Sequence, residues 1–382
     1  MERSVWIHAV RLGEAISIRG LVEELRKAYP RKKFVFSTVT PTGNKIAREL
    51  ARSGDLVTYL PLDFSFTVRN AINRINPGLF IIAETEIWPN LITYLYKKDI
   101  PIVTVNGRIS DASFKGYAAI KFLINPILNK VKLFCMQSES DAARLKQLGV
   151  ANDKIKVTGN MKFDKSDYAD FKKDYTDYRL KLGLGIGDKL LVAGSTHPGE
   201  EEIILAVYKR LLNQFSNLRL LIAPRHTQRS GEILKLVVRS GLNCIEVSKI
   251  DLQVLAAKPV FILDTVGNLV NFYSAADIVF VGGSLIKKGG HNILEPASLG
   301  KPIIFGPHMF NFRDMVKMFL DNHAAIMVRT QEELESSVQE LLRNCPKAGE
   351  LIKNASQVIA RNQGATLRNV EAIKLIGISN GN

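Results

Sequence analysis

Two successive series of short apolar runs, separated by longer amphipathic segments, constrain the fold of this chain most. The first series, rich in Val, Ile and Phe, lies at residues 5–10, 34–37, 57–60, 79–83, 102–106 and 133–137. The second lies at residues 190–194, 218–223, 243–247, 260–264, 278–281 and 302–305. Near-continuous apolar strands alternating with helices indicate parallel sheets that are covered on both faces. We therefore predict an α/β protein with two doubly wound, Rossmann-like domains that face a central cleft.

The length of the chain also favours two domains. Its 382 residues exceed one ordinary hydrophobic core. We predict a first domain at residues 1–165, a linker rich in Asp, Lys and Tyr at 166–187, and a second domain at 188–350. Residues 351–382 have a helical pattern, and we predict a C-terminal helix there that is placed to pack back on the first domain.

Charge is distributed unevenly along the chain. The formal net charge is +15, and residues 1–165 contain 26 basic and 15 acidic side chains, a net of +11 against +4 for the rest. A basic first half implies an anionic partner, which is a nucleic acid, a phosphorylated substrate or an anionic membrane face. The interleaved basic and aromatic motifs of single-strand binders are missing, which disfavours nucleic acid.

Membrane-spanning and disulfide-rich classes are also disfavoured. No window contains 18 uninterrupted apolar residues, and the chain runs at once into its first predicted strand, so we expect neither a transmembrane helix nor a signal peptide. The three cysteines, Cys135, Cys244 and Cys345, lie far apart without a CxxC pair. They are typical of reduced cytosolic thiols and indicate neither a disulfide framework nor a zinc site.

The most informative motif follows the apolar run at 278–281. Gly289 and Gly290 precede polar residues and a helix-forming segment, a pattern typical of a strand, a loop and a helix N-terminus. Backbone N–H groups in such a loop can approach a phosphate closely. Glu295 is placed to accept hydrogen bonds from a ribose diol. A glycine-rich turn with a solvated Glu295 is the alternative, but His291 and Asn292 in the same window favour a nucleotide-sugar site.

Three motifs of the first half place charged side chains at strand ends. Glu14 follows the first strand, where a carboxylate with a tuned pKa can take a proton from an attacking hydroxyl. Glu84 and Glu86 follow the strand at 79–83 and point the same way if that strand continues. Lys162 is placed to stabilise negative charge on a leaving phosphate. The alternatives are a first-turn Glu favoured by the helix dipole, an acidic helix-capping turn and a surface lysine.

Two loops of the second half carry further candidates. Ser195 and His197 follow one strand, and Pro224, Arg225 and His226 follow the next. The guanidinium of Arg225 suits bidentate binding of phosphate or carboxylate. The histidines lack the spacing of metal ligands, so anion and sugar binding is preferred to a metal site. The absence of GxGxxG after the first strand and of GxxxxGK[ST] argues against a dinucleotide oxidoreductase and a P-loop enzyme.

Taken together, these motifs resemble the 3-deoxy-D-manno-octulosonic acid (Kdo) transferases of Gram-negative lipopolysaccharide synthesis. The resemblance extends from the first strand to about residue 312. The blocks that carry it, in shared order and spacing, lie at residues 6–10, 38–43, 84–90, 137–139, 159–164, 223–226 and 306–308.

The resemblance implies a metal-independent, inverting glycosyltransferase of the GT-B fold without a cofactor. It would move Kdo from CMP-Kdo to a lipid A precursor of the lipid IVA type and release CMP. Glu14 would be the general base, and Glu84 and Lys162 would assist the transition state. The residues implied as CMP contacts are Pro224, Arg225, Val266, Gly267, Asn268, Asn292, Ile293, Leu294 and Glu295. Further candidates in the same loops are Ser195, His197, His226, Gly290 and His291.

The chain departs from the family pattern at three points. Arg11-Leu12 stands where Ser-Val is usual and places a cation beside the proposed base, and Asn268 stands where Glu is usual. Members commonly carry an N-terminal hydrophobic anchor, whereas this sequence begins at the first strand. Either the anchor lies outside this sequence, or a peripheral basic and apolar surface replaces it at the anionic cytoplasmic face of the inner membrane.

Two other functions compete with this interpretation. Another GT-B nucleotide-sugar enzyme, such as a 2-epimerase, would need no surface for a lipid acceptor. A non-enzymatic nucleic-acid-binding protein of two α/β domains is a remote alternative.

Overall fold

The computed structural model describes residues 3–10, 12–164, 175–250 and 258–378. The chain divides into two compact units, one of residues 1–165 with 362–382 and the other of residues 166–361. In the first unit the described strands are β1 (Ser4–His8), β2 (Phe34–Thr38), β3 (Leu56–Tyr59), β4 (Pro77–Ala83), β5 (Ile102–Gly107), β6 (Leu133–Met136) and β7 (Ile155–Val157). In the second they are β8 (Lys189–Thr196), β9 (Leu218–Pro224), β10 (Cys244–Glu246), β11 (Val260–Ile262), β12 (Ile278–Val281), β13 (Ile303–Phe305) and β14 (Ile326–Met327).

Helices connect these strands. Those before residue 165 are α1 (Leu12–Ser17), α2 (Arg19–Ala28), α3 (Pro41–Leu50), α4 (Ser65–Ile75), α5 (Pro89–Lys97), α6 (Asp111–Ala119), α7 (Lys121–Leu128) and α8 (Glu139–Gln147). Those that follow are α9 (Tyr175–Lys181), α10 (Glu200–Leu212), α11 (Ser230–Arg239), α12 (Leu269–Ala275), α13 (Leu294–Ser298), α14 (Arg313–Asp321), α15 (Gln331–Arg343), α16 (Cys345–Asn362) and α17 (Ala365–Ile376). The 3₁₀ turns are Asn152–Lys154, Met161–Asp164, Thr227–Arg229, Val247–Lys249 and Phe310–Phe312.

Both sheets are parallel throughout the described residues. The first has the order β3-β2-β1-β4-β5-β6-β7, and the second has the order β10-β11-β9-β8-β12-β13-β14. The strand order therefore reverses between β1 and β4 in the first sheet and between β8 and β12 in the second. In open α/β sheets, ligands bind outside the carboxyl ends of the strands at such a reversal. The topology thus selects two loop clusters, one in each unit.

The first sheet is buried on both faces, as its continuous apolar strands predict. Val5 and Ile7 belong to one hydrophobic cluster, which also contains Ile373 of α17. Trp6 belongs to a second cluster, in which it packs against Phe80 with ring centroids 4.8 Å apart. Since successive side chains of a strand point to opposite faces, the five inner strands, β1, β2, β4, β5 and β6, each contribute to both clusters.

The predicted linker contains a helix, and the predicted C-terminal segment contains parts of two helices, the second of which packs on the first unit. Residues 166–174 of the linker lie outside the described residues, and α9 belongs to the second unit, where Arg179 pairs with Asp277 at 3.1 Å. Within the described part of that segment, residues 351–378, the helix is interrupted. Helix α16 belongs to the second unit up to Arg361, its last residue Asn362 belongs to the first, and α17 packs on α2 in the first unit. The chain turns between them because Gly364 adopts a left-handed φ of 87°.

Asp164 holds the start of α17 in place. Its Oδ1 accepts a hydrogen bond from Gly364 N–H at 2.6 Å, and its Oδ2 accepts one from Thr366 N–H. These N–H groups have no partner within the helix, so a carboxylate at this position acts as a cap. The bonds join residues about 200 positions apart in the sequence and attach the C-terminal helix to the first unit.

We expect Asp164→Ala to lower the free energy of unfolding of the first unit by about 1–2 kcal/mol, because two helix N–H groups lose a charged acceptor. The chain has two tryptophans, Trp6 and Trp88, and both lie in the first unit. Urea unfolding followed by tryptophan fluorescence therefore reports on that unit. Asp153→Ala, at an exposed position of the same unit, is the control. Equal midpoints for the two variants would contradict the capping role.

Among the helices of the described ranges, none has both the length and the hydropathy needed to cross a bilayer.

Candidate functional site

The first loop cluster contains Glu14, which follows β1 beside the strand reversal. Its side chain is buried, and its Oε2 accepts a hydrogen bond from Val10 N–H at 2.7 Å. The hydroxyl of Ser17 donates to the backbone carbonyl of Glu14 at 2.8 Å. The carboxylate is therefore fixed against the loop that leaves the strand. Arg11, the departure from the family pattern, lies outside the described residues.

Glu84 and Lys162 lie together although they are 78 positions apart in the sequence. Lys162 Nζ is 3.4 Å from Glu84 Oε1, and each side chain is about a quarter exposed. The expectation that Glu84 and Glu86 share a strand face is wrong, because β4 ends at Ala83 and Glu84 adopts a left-handed φ of 60°. A non-glycine residue in this conformation is uncommon and is found preferentially at functional sites. The turn directs Glu84 away from the strand.

Asn106 positions the short helix that carries Lys162, and the sequence did not identify it. This buried residue at the end of β5 has a left-handed φ of 52°. Its Oδ1 accepts a hydrogen bond from Met161 N–H at 3.0 Å, and its carbonyl accepts one from Gln137 Nε2 at 2.9 Å. The signal that could have indicated this role is an asparagine at the end of an apolar run, directly before a glycine, because asparagine adopts the left-handed conformation more readily than most residues.

His8 lies at the end of β1, and burial lowers its pKa to about 4 despite a backbone hydrogen bond that raises it. Its Nδ1 lies 3.0 Å from both the carbonyl and the hydroxyl oxygen of Ser37. Trp6 Nε1 donates to the same hydroxyl at 2.8 Å. His8 is therefore neutral at pH 7, and it holds the end of β1 against β2.

The second unit has a pocket of about 300 Å³ at the carboxyl ends of β8 and β9. The predicted site residues that line it are Ser195, Pro224, Arg225, His226, Val266 and Gly267. Ser195 and Gly267 both have left-handed backbones, with φ values of 58° and 93°. Asn268 precedes α12, and its Nδ2 donates to Thr265 Oγ1 at 3.1 Å. The loop at 265–268 is thereby closed on itself beside the pocket.

Three of the candidate histidines lie together near this pocket. His197 Nε2 is 3.1 Å from His291 Nε2, and the two rings are stacked. The ring of His226 lies 6.2 Å from that of His197, edge to face. Burial, and next the charge of Arg225, lower the pKa of His291 to about 4, and burial also lowers the pKa of His197. Both rings are therefore neutral at pH 7 and share one hydrogen bond.

In the glycine-rich run at 289–297, the N–H groups of Gly290 and Leu294 already have partners within the protein. The N–H of Gly290 donates to the carbonyl of Gly283 at 2.8 Å. Asn292 Oδ1 accepts from Leu294 N–H, and its Nδ2 donates to Glu295 Oε1, both at 3.1 Å. The side chains of Ile293 and Leu294 are buried, so only their backbone atoms are available to a ligand. Among the predicted CMP contacts of this loop, Asn292 and Glu295 have side chains that are partly exposed.

Glu200 is a second residue that the sequence did not identify as functional. It lies within the window 194–200, yet only the serine and histidine of that window suggested chemistry. The side chain is fully buried at the start of α10 and accepts four backbone hydrogen bonds. A glutamate after a glycine at a helix start indicates a cap, but partners more than 80 positions away cannot be read from the sequence.

Comparison with known families covers most of the chain. A family described as 3-deoxy-D-manno-octulosonic-acid transferase (kdotransferase) matches residues 1–165, and a family described as glycosyl transferases group 1 matches residues 195–358. The 3-deoxy-D-manno-octulosonic acid transferase of Haemophilus influenzae is 36% identical over 377 residues, which are 97% of this chain and 87% of that protein.

Two solved structures are similar in fold over nearly the whole chain. A glycosyltransferase from Rickettsia africae has a TM-score of 0.65 at 14% identity and covers 98% of each chain. A putative UDP-N-acetylglucosamine 2-epimerase from Listeria monocytogenes has a TM-score of 0.64 at 12% identity. The match covers 98% of this chain and 96% of the epimerase chain. Together with the two parallel sheets, these similarities confirm the predicted two-domain α/β fold of the GT-B type.

Proposed function

Because this chain belongs to the family of Kdo transferases and is a glycosyltransferase, we propose that it moves Kdo from CMP-Kdo to a lipid A precursor of the lipid IVA type. Lipopolysaccharide inner-core assembly is the process that this reaction serves. The observation that carries the proposal is the placement of Glu14, Glu84 and Lys162 at the β1–β4 reversal of an enzyme in this family. In this proposal the first unit binds the acceptor and the second binds the CMP-sugar.

Glu14 acts as the general base in the proposed reaction. Its carboxylate takes the proton of the acceptor hydroxyl while that oxygen attacks the anomeric carbon of Kdo. The new carbon–oxygen bond forms as the bond to the phosphate of CMP breaks, and the bonding electrons leave with CMP. Attack from the face opposite the leaving group inverts the anomeric configuration. The hydrogen bond from Val10 N–H orients the carboxylate for this step.

Lys162 and Glu84 assist the transition state. The Lys162 ammonium stabilises the negative charge that develops on the departing phosphate. The carboxylate of Glu84, 3.4 Å from Lys162 Nζ, directs the flexible lysine side chain and balances its charge before the donor binds. The left-handed turn at Glu84 and the bonds of Asn106 hold the two residues in place.

The donor contacts are assigned to the pocket of the second unit. Arg225 offers a guanidinium to the anionic donor, and Asn292 and Glu295 offer hydrogen bonds to its ribose. Pro224, Val266 and Gly267 line the same pocket as Arg225 and supply its apolar surface.

Incubation with CMP-Kdo and lipid IVA, followed by mass spectrometry, tests the proposed function. We expect one or more Kdo residues to be added to the lipid and CMP to be released in equal amount. A parallel incubation with UDP-N-acetylglucosamine tests the epimerase alternative. Conversion of that nucleotide sugar without transfer to the lipid would replace the proposal with an epimerase.

We also propose that the first unit binds the anionic inner membrane as a peripheral protein, on its cytoplasmic face. Residues 1–165 carry a net charge of +11, and Lys or Arg near an anionic surface contributes about 1 kcal/mol each. The segment at residues 113–128, which contains α6 and α7, offers apolar side chains to the membrane in part. Ile124 is buried in the core, whereas Phe122 and Leu123 of α7 are 75% and 54% exposed.

A second exposed apolar surface follows β3 and suits acyl chains. The rings of Phe64 and Phe66 are stacked, with centroids 6.3 Å apart, and Leu62 is exposed beside them in the sequence. The carboxylate of Asp63 accepts hydrogen bonds from the N–H groups of Asn90 and Leu91 at 3.0 and 2.9 Å. The loop is thus anchored while its apolar side chains remain in solvent.

Liposome co-sedimentation should show binding to anionic vesicles that weakens as salt rises, because the Debye length shortens from about 10 Å at 0.1 M to 3 Å at 1 M. Replacing Phe122 and Leu123 by Ser should reduce this binding. Val238→Ser, at a position 63% exposed in the second unit, should not. Equal binding to neutral vesicles, or none to either, would restrict the positive charge to a role in binding the phosphorylated acceptor.

A further inference from the structure

One buried carboxylate joins two loops of the second unit. Glu200 Oε2 accepts hydrogen bonds from His197 N–H at 3.1 Å and from Gly283 N–H at 2.6 Å. Its Oε1 accepts from Ser284 N–H and from Leu285 N–H, both at 2.9 Å. The side chain is 0% exposed. A carboxylate that accepts four backbone N–H groups is strongly oriented, because charge-assisted hydrogen bonds are about twice as strong as neutral ones.

The two loops joined by Glu200 leave β8 and β12, the neighbouring strands at which the order of the second sheet reverses. They approach each other at backbone contact, since a Cβ on Gly282 would lie 2.6 Å from the carbonyl oxygen of Ser195. The imidazoles of His197 and His291 form a second connection on the same side. The geometry of this end of the sheet therefore depends on side chains that bridge the two loops.

Glu200 also occupies a place that suits an anion. Three consecutive N–H groups, those of Gly283, Ser284 and Leu285, converge on one carboxylate, and such a nest commonly binds phosphate. Because the protein's own carboxylate fills the nest, a ligand anion must find its partners elsewhere. Arg225, whose N–H donates to the carbonyl of Thr196 at 2.9 Å, and Lys288, on the loop after β12, supply positive charge at this end of the sheet.

We propose that Glu200 is a positioning residue of the donor site. It fills the amide nest after β12 and holds the loops after β8 and β12 together, so that the His197–His291 pair and Arg225 form one anion-binding surface. The anionic groups of the donor then contact these side chains rather than the N–H groups of residues 283–285. This inference rests on the proposed CMP-sugar donor and adds a residue that does not touch it.

Glu200→Gln tests this role. The amide keeps the shape of the side chain but turns a donor group toward N–H groups of the loops, so the loops separate. Asp277→Asn is the matched control. Asp277 joins the same two strands at their opposite ends, where it accepts a hydrogen bond from Leu190 N–H at 2.9 Å and pairs with Arg179 and Lys189. Both variants lose one buried or half-buried carboxylate from the same sheet.

We expect Glu200→Gln to raise the Kd for CMP, measured by calorimetry at a temperature where the variant is folded, by about tenfold or more. The KM for the donor should rise, with little change in the KM for the acceptor, and Asp277→Asn should bind CMP within about twofold of the parent. A lower Tm for Glu200→Gln with an unchanged Kd would overturn the proposal. Failure of the parent protein to bind CMP would instead overturn the proposed function.

Hydrogen exchange on the parent protein provides a second test that does not depend on the variant folding. The amide protons of Gly283, Ser284 and Leu285 should be protected before any ligand is added, and CMP should leave their protection unchanged. Protection that develops only when CMP binds would show that the ligand, not Glu200, accepts these hydrogen bonds, and it would overturn the proposal.

Discussion

Replacing Glu14 by Gln should lower turnover by a factor of about 10² to 10⁴, the usual contribution of a general base. The amide retains an oxygen that can accept the hydrogen bond from Val10 N–H, so the loop after β1 should keep its conformation. The variant cannot take the proton from the acceptor hydroxyl. Binding of CMP, which is assigned to the second unit, should be unaffected. Steady-state kinetics with saturating donor and acceptor measures the loss directly.

Glu23→Gln is the control for this experiment. Glu23 is exposed on α2 of the same unit, so its replacement removes the same charge without touching the loop after β1. We expect this variant to turn over at the rate of the parent. If Glu14→Gln also remained within a few-fold of the parent, the base would have to be another residue of the first loop cluster.

Replacing Arg225 by Ala should weaken CMP binding by roughly 10- to 150-fold, which corresponds to the loss of about 1.5–3 kcal/mol from a hydrogen bond to a charged group. The side chain of Arg225 is exposed at the pocket, while its backbone N–H donates to the carbonyl of Thr196 at 2.9 Å. The substitution therefore removes the guanidinium and leaves the loop attached. Calorimetric titration with CMP measures the effect.

Arg239→Ala separates this contact from a general effect of charge. Arg239 is exposed at the end of α11, so its loss changes the net charge of the second unit by the same amount. CMP should bind this variant as it binds the parent. An exposed guanidinium group contributes less to the binding free energy of an anion than a buried one does. If Arg225 stays solvated in the complex, the loss of CMP affinity in Arg225→Ala should therefore be about tenfold. An unchanged Kd for Arg225→Ala would place the nucleotide elsewhere.

The strands could be predicted from the sequence because most of them are buried on both faces. Each of the twelve predicted apolar runs forms a strand of one of the two sheets. The strands that were missed, β7 and β14, lie at sheet edges, and their side chains are partly exposed. An edge strand has a neighbouring strand on one side alone, and its side chains are partly exposed. It therefore does not need a continuous apolar run, and its composition does not distinguish it from a loop.

The candidate site was predictable as a set of loops but not as a set of contacts. Strand ends and glycines indicated where Glu14, Glu84, Lys162 and Arg225 would lie, because loops at the carboxyl ends of parallel strands carry the ligands of such folds. The pairing of Lys162 with Glu84 joins residues 78 positions apart. Neither local spacing nor composition predicts that contact, because it depends on which strands are neighbours in the sheet.

The α/β class, twelve of the strands and the resemblance to one family could be inferred from the sequence, since these follow from local periodicity and from motifs of a few residues. Three features required the tertiary structure: the order of the second sheet reverses between β8 and β12, Glu200 fills the nest at Gly283–Leu285, and Asp164 holds α17 on the first unit. The contacts of Glu200 and Asp164 share one physical reason. Buried polar groups must find partners, and in a parallel sheet those partners come from loops that are distant in the chain and adjacent in space.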